Sequence, residues 1–452
     1  MAIRTDGVQD LRYGYSRQVR RFQPPTGVPP LATASSVRSS EQTRSLILDT
    51  IRSSGRISRV ELAKKSGLTE ATISTVVRRV MAEGLVIETG FSEPTGGKRR
   101  TLLEINSSAR YALGVSLDRE RLVLVAADLS GEVVGSAETS GTGDTYPGTV
   151  IKLIASRAAE LLKEVNIDPA DVVGIGVASP GPLDTRAGVL RGHRPSSAWR
   201  DYPLEERLEE QSGLPVVLDN DATCAALGEY WTNNVLVTSP VSATVYMADG
   251  IGCGILVDGR IYHGSSSNAG EIGHITLDIA GPKCHCGSRG CVELYAAPAA
   301  VAARALANES LTRELGLTPK VSSSRENFDR VAKGAIQGNP EARALITEAA
   351  MCLAEGIVSL SNVLDLNEVH LSGPGFSIAG EIFTDVIQGR LNEGTFMRSI
   401  HPVLTKLSTI GDHSAAVGAA AMVLQHQLTP HLAARSRRAR GNVQLVAADH
   451  LA

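Results

Sequence analysis

From residue 41 the apolar positions recur at helical spacing in three short blocks. Leu46, Ile47 and Ile51 open the first, which Ser53-Ser54-Gly55 ends. Val60, Leu62 and Ala63 mark a second over residues 59–65, with Ser58 as N-cap and Glu61 at the third helical position. Ser66-Gly67-Leu68 reads as a tight turn. Thr69 then caps a third helix over 70–83, in which Ile73, Val76, Val77 and Val80 form the inward stripe and after which Gly84 stops the chain. Two strand-like runs follow at 85–89 and 101–105, joined through Gly96-Gly97-Lys98-Arg99-Arg100. Three short helices and a basic hairpin predict a winged helix-turn-helix over 41–108. A protein-binding winged helix has the same skeleton, but the positive wing favours DNA. Thr69, Thr72, Ser74, Thr75 and Arg78 on the third helix are candidate contacts to base edges or phosphates, and Lys98, Arg99 and Arg100 on the wing can clasp the backbone or the minor groove.

From Ala112 the period alternates between strand and helix. Strands are expected at 113–117, 121–128, from 131, and at 172–177, 214–218 and 241–247, with a last one at 369–372. Helices are expected at 150–165 and 222–230, over most of 298–363, and as a small-residue helix at 415–421. Loops rich in glycine or carboxylate follow several buried strands: Ser179-Pro180-Gly181-Pro182, Asp219-Asn220-Asp221, Gly250-Ile251-Gly252-Cys253-Gly254 and Gly373-Pro374-Gly375. Strand ends of this kind are where α/β sheets bind ligands. The repeated strand pairs and helices predict two similar α/β lobes around a cleft.

Length and composition add boundaries. At 452 residues the chain exceeds one core. Residues 1–40 and the stretch from Thr429 onward lack apolar periodicity and carry arginines, so both are expected to be disordered basic tails. No uninterrupted apolar run of about 18 residues is present, so no membrane span is expected. The net charge of −3 hides an asymmetry: residues 1–110 hold 18 Lys and Arg against 10 Asp and Glu, a surplus of 8, which leaves −11 on the remainder. A basic first part on an acidic body suggests that only the first part meets a polyanion. Six cysteines in so long a chain make no disulfide framework, and a cytoplasmic setting is expected.

Three of those cysteines gather in residues 268–293. His274, Cys284, Cys286 and Cys291 supply one nitrogen and three sulfurs, a closed tetrahedral shell for structural zinc. The alternative is three reduced cysteines and a core histidine. The same stretch resembles the signature of the ROK family of repressors, open reading frames and sugar kinases. Residues 264–274 match G-x-x-x-x-A-G-E-I-G-H, residues 284–293 match C-x-C-G-x-x-G-C-x-E, residues 220–229 match N-D-A-x-x-A-A-x-x-E, and residues 174–184 are similar to G-I-G-V-x-x-P-G-x-x-D. The resemblance spans about 110–425. It implies a two-lobed actin-like ATPase fold of the ribonuclease H-like, sugar-kinase type, here preceded by the winged helix of the repressor branch, with the sugar-sensing body over 109–428. It also implies a sugar pocket lined by Gly181, Asn220, Asp221, Glu271, His274 and Glu293, with one His274 nitrogen on the metal and the other on a sugar hydroxyl.

In the family's kinases the counterpart of Asp221 is the general base. The phosphate loops depart from the kinase pattern. Asp118, Arg119 and Glu120 stand where G-x-D-x-G-G-T has Gly-Gly-Thr, Ala248 and Asp249 replace the opening Gly-Thr of the second loop, and Pro374 removes a donor from the third. ATP is therefore not expected. The expectation is a sugar-responsive regulator of carbohydrate genes, most naturally a repressor, acting as a homodimer or homotetramer on an inverted-repeat operator. A kinase carrying a DNA-binding domain is the first alternative, and a protein-binding scaffold that responds to a transporter component is another.

Overall fold

The structure, a computed structural model, describes residues 40–91, 99–192, 195–233, 239–320 and 324–428. The two expected tails lie outside the described residues apart from Ser40, and so do Gly96, Gly97 and Lys98 of the wing.

The N-terminal unit comprises α1 (Ser40–Ser54), β1 (Ile57–Ser58), α2 (Arg59–Ser66), α3 (Glu70–Ala82), β2 (Val86–Phe91) and β3 (Thr101–Ile105), with strand order β1-β3-β2. Ser58 and Glu61 form a reciprocal capping box, and Thr69 accepts the Thr72 N–H at the start of α3. Gly84 takes φ 75°, the left-handed conformation that ends the helix there. Ile47, Ile51, Leu62, Ile73, Val77 and Val80 are buried together, whereas Val60 faces solvent.

The first lobe contains β4 (Tyr111–Leu117), β5 (Arg121–Asp128), β6 (Val133–Ser140), α4 (Pro147–Glu164), β7 (Val172–Ser179), β8 (Leu183–Asp184), β9 (Val189–Leu190), α5 (Leu204–Ser212) and β10 (Val216–Asn220). Helix α6 (Asp221–Asn233) leads out of it. The second lobe contains β11 (Val241–Met247), β12 (Ile251–Val257), β13 (Arg260–Ile261), α7 (Glu293–Ala296), α8 (Pro298–Leu306), α9 (Glu309–Leu315), α10 (Ser324–Ile336), α11 (Pro340–Leu364), β14 (Glu368–Ser372), α12 (Gly380–Gly394) and β15 (Leu404–Leu407), and α13 (Ser414–Leu428) closes the described chain. The first sheet runs β6-β5-β4-β7-β10 and the second β13-β12-β11-β14-β15. Each is an antiparallel three-strand meander extended by two parallel strands. The expected two-lobed duplication is thus explicit in the topology.

Several details differ from the sequence reading: α5, α12 and the short strands β8, β9 and β13 are not among the expected elements. Residues 251–254 are not loop but the start of β12, paired residue by residue with β11. Their glycines serve helix packing: a Cβ on Gly254 would lie 2.3 Å from the Ala222 carbonyl oxygen of α6. The strand at 368–372 is followed by one more, β15, whose short run in a polar context carries little periodic signal. Helix α11 is long and apolar enough by length and composition to cross a membrane. Its Ile346, Leu353 and Ile357 are fully buried in the second lobe's core, and Glu341, Glu348 and Glu355 interrupt its apolar run.

The crossover helices knit the lobes. Helix α6 leaves the first sheet and packs on β11 and β12, while α13 leaves the second and packs on β4 and β7. They cross with backbones nearly touching. A Cβ on Gly418 would meet the Cys224 carbonyl oxygen at 1.6 Å, and one on Gly228 the Ser414 carbonyl oxygen at 2.5 Å. Gly418→Ala is therefore expected to cost about 1–3 kcal/mol through overpacking. Gly389→Ala, where nothing lies within 4 Å in α12, should instead gain about 0.5–1 kcal/mol. Urea unfolding of both variants checks the pair, and equal midpoints would contradict the crossing geometry.

Candidate functional site

Three elements converge on Gly181, just past the end of β7. Asn220 ends β10, and its Oδ1 caps α6 by accepting the N–H groups of Ala222 at 2.9 Å and Thr223 at 3.1 Å. That fixes the amide nitrogen on the outer side, 3.3 Å from where a Gly181 Cβ would sit; Glu271 Oε1 lies 3.4 Å and Asn268 Oδ1 3.6 Å from the same point. Any side chain at 181 would fill the space these three groups share. Asp221, half-buried at the start of α6, accepts the Ala222 N–H at 2.8 Å.

Asn268 was not singled out from sequence, although it immediately precedes the Ala-Gly-Glu run. It staples the second-lobe loop to the first lobe: Oδ1 accepts from Leu183 N at 2.8 Å, and Nδ2 donates to Leu183 O at 2.9 Å. His263 was also missed. Its Nε2 is 2.8 Å from Oδ2 of buried Asp219, and this partner raises its pKa above the usual value. Only the tertiary fold brings His263 to the residue before Asn220.

The His274, Cys284, Cys286 and Cys291 donor atoms lie within 4.8 Å of one another. His274 Nδ1 is 3.7 Å from Cys284 Sγ, and Cys286 Sγ is 3.7 Å from Cys291 Sγ. A tetrahedral zinc with bonds of about 2.3 Å to sulfur needs edges of about 3.8 Å, so the residues fit the ion. Cys284 and Cys291 are buried and Cys286 is exposed. The loop is held by bridges between Thr276 and Cys291 and between Lys283 and Arg289. Since Nδ1 faces the thiols, Nε2 is the nitrogen on the opposite side of the His274 ring. Glu293 is largely buried, and its Oε2 accepts the Ile251 N–H at 3.3 Å, which ties the end of the clamp to β12. The structure thus gathers Gly181, Asn220 and Glu271 around one point and places Asp221 beside Asn220, with Glu293 anchored against β12.

The positions aligned with phosphate loops form a separate acidic group. Burial and the neighbouring Asp249 push Asp118 up to about 6. Burial, Asp249 and Asp118 together push Glu120 up to about 7, although Glu120 as a residue reaches solvent. Arg325 opposes both shifts. It is held by Asp329 at 3.0 Å and by the Pro374 carbonyl oxygen, so one guanidinium binds the third loop and acts electrostatically on the first.

On α3, Thr69, Thr75 and Arg78 are exposed and Thr72 and Ser74 half-buried; Arg99 and Arg100 are exposed at the wing. Thr69 Oγ1 lies 2.9 Å from Thr72 Oγ1 while capping the helix, and Thr75 donates to Ala71 O at 3.0 Å. Thr69 and Thr75 therefore have local hydrogen-bonding roles in the absence of DNA.

A two-lobed sugar-kinase architecture behind a winged helix defines the class. The ROK family profile matches residues 112–426, and a winged helix-turn-helix DNA-binding profile matches residues 41–87. The chain belongs to the ROK family. It is 28% identical over 393 residues to the xylose repressor of Caldicellulosiruptor bescii, covering 85% of this chain and 96% of that one. It is also 28% identical over 336 residues to a glucokinase of Halalkalibacterium halodurans, covering 71% and 97%. The crystal structure of a ROK family transcriptional regulator, a homolog of the Escherichia coli MLC protein, superposes with TM-score 0.67 at 22% identity, over 87% of this chain and 98% of that one, and so shares the fold.

The raised carboxyls have a consequence for stability. Between about pH 4 and 6 the folded chain keeps a proton on Asp118 that the unfolded chain, with its value near 3.8, has released. This contribution to stability is complete below pH 4 and is lost as pH rises through 6. Asp118→Asn is expected to flatten the melting temperature against pH in that window and to raise it at pH 8. An unchanged slope would contradict the acidic environment assigned to Asp118.

Proposed function

We propose that this chain is a sugar-responsive DNA-binding regulator, acting as a repressor of carbohydrate-use genes. The observation that carries this reading is the convergence of Asn220, Asn268 and Glu271 on Gly181, in a ROK body with a winged helix in front. An amide donor, an amide acceptor and a carboxylate match the mixed donor–acceptor face of a sugar hydroxyl pair. Asp221 and Glu293, and His274 through Nε2, complete the set of contacts. Operator contacts come from Ser74, Arg78, Arg99 and Arg100, with Thr69, Thr72 and Thr75 at the helix surface. The regulator is a homodimer or homotetramer in the cytoplasm that reads an inverted repeat, because paired winged helices impose paired half-sites.

Phosphate binding is disfavoured by Asp118, Glu120 and Asp249, three carboxylates where a polyphosphate would lie. The kinase reading keeps two supports: Asp221 stands at the base position, and a glucokinase is among the relatives. An ATP-coupled assay with D-xylose, D-glucose and N-acetyl-D-glucosamine is expected to show no turnover; sustained turnover by pure protein would reverse the assignment.

The clamp holds a structural zinc, which supplies a cross-link for the loop that carries Glu271 and His274. Two further outcomes are expected. Asp221→Ala should retain binding to DNA fragments selected by the wild type from a random pool, while sugar affinity falls roughly 10–100-fold, the loss of a charged hydrogen bond of about 1.5–3 kcal/mol. Sugar-driven release that persists in this variant would remove Asp221 from the pocket. Cys286→Ser should lower zinc per chain by elemental analysis and lower the melting temperature; a metal-free variant as stable as the wild type would refute the structural role.

A further inference from the structure

Helix α6 joins three places that are otherwise far apart in sequence. Its first residue is Asp221, and Asn220 caps it from the candidate sugar site. Its last turn docks on the DNA-binding unit. The Arg52 guanidinium of α1, 2% exposed, donates to the Trp231 carbonyl oxygen at 2.9 Å and lies 4.3 Å from the Trp231 ring centroid and 5.8 Å from that of Tyr230. Asp49 pairs with Arg52 at 2.9 Å and accepts the Tyr230 hydroxyl at 3.0 Å. A cation enclosed between two aromatic faces, a carboxylate and a carbonyl forms a directional joint, because each partner restricts a different axis of the planar guanidinium. Between the two ends, Glu229 is buried and accepts the hydroxyls of Ser372 at 3.1 Å and of Ser408, at the end of β14 and just after β15.

We infer that α6 is the strut that carries sugar occupancy to the winged helix, and that Arg52, Asp49, Tyr230 and Trp231 are the positioning residues of its joint. The inference rests on the sugar-regulator reading above. Thirteen residues of helix span about 20 Å and resist bending far more than a loop of that length. The contact with α13 is backbone against backbone at Gly418 and Gly228, so α6 has no soft layer on that side to absorb a displacement. A shift of Asn220 and Asp221 on sugar binding is thus delivered to Tyr230 and Trp231 as a rigid motion. There the buried Arg52 converts it into a movement of α1. The core of the winged helix packs on α1 through Ile47, Leu48 and Ile51, so α3 moves with it.

The joint lies at the opposite end of α6 from Asn220 and Asp221, and its residues are not among the proposed operator contacts. Its loss should therefore uncouple the two sites and leave each working. Tyr230→Phe removes only the hydroxyl that binds Asp49, and Arg52→Met removes the cation while keeping a long side chain. The full chain is tested with D-xylose, D-glucose and N-acetyl-D-glucosamine as probes, and DNA fragments selected by the wild type from a random pool serve as targets. Thermal shift reads sugar binding, and fluorescence anisotropy reads DNA affinity with and without sugar. In the wild type, the effective sugar is expected to change DNA affinity by on the order of 10-fold, within the usual range for coupled sites. In both variants the sugar's thermal shift and the sugar-free DNA affinity should stay within about twofold of wild type, while the sugar-induced change falls below about twofold. If both variants respond to sugar as the wild type does, the strut is overturned. If DNA affinity without sugar collapses in both, the joint is a support for the DNA-binding unit and not a transmitter, which also overturns it. If no sugar shifts the wild type, the failure lies with the sugar-regulator reading itself.

Discussion

The crossing of α6 and α13 is the constraint on which the remaining structure depends. Each helix begins in one lobe and packs on the other, and they meet where glycine removes the side chain from the contact. The two carbonyl oxygens that face Gly418 and Gly228 leave room for hydrogen and little else. Small residues of α13 extend the same logic to the first sheet, where a Cβ on Gly114 would come within 1.9 Å of the Ala416 carbonyl oxygen. Close backbone approach replaces interdigitated side chains, so the lobes are joined through a stiff layer. The candidate functional parts are hung on that layer: the proposed sugar-site residues at the head of α6, the DNA-binding unit at its foot, and the acidic loops beside it.

That arrangement explains how a kinase architecture can serve a regulator. The polar groups around Gly181 are intact and held by caps and staples that do not need a nucleotide. Burial, reinforced by repulsion from Asp249, raises Asp118 and Glu120, and the Arg325 guanidinium opposes both shifts. The proposed zinc would cross-link the loop that carries Glu271 and His274 and set its shape before any ligand arrives.

Much of this was legible in the chain. The three helices and the two wing strands follow from apolar period and caps, and Ser58 with Glu61 declares its capping box outright. The four zinc-type ligands and the residues 220 and 221 stand in dense local motifs, which is why they could be named. Residues whose role arises from distant partners were not visible. Asn268 looks like a loop polar residue until its amide is seen on Leu183; His263 looks like a surface histidine until Asp219 is placed beneath it. Residues 250–254 read as a loop because five positions with three glycines carry no strand signature, and only the helix lying over them shows why they lack side chains.

By itself, then, the sequence determined most of the elements, the order of the lobes, and the local motifs in which the candidate clamp ligands and phosphate-loop positions stand. Each of these is written in local spacing, where period, capping and ligand type act over a few residues. The tertiary structure decided which groups meet: Glu271 with Asn220 across the lobes, Arg325 with three carboxylates, and Arg52 with an aromatic pair 179 residues away. Contacts of that kind depend on the path of the backbone through two sheets and a helix crossing, and no local pattern encodes that path.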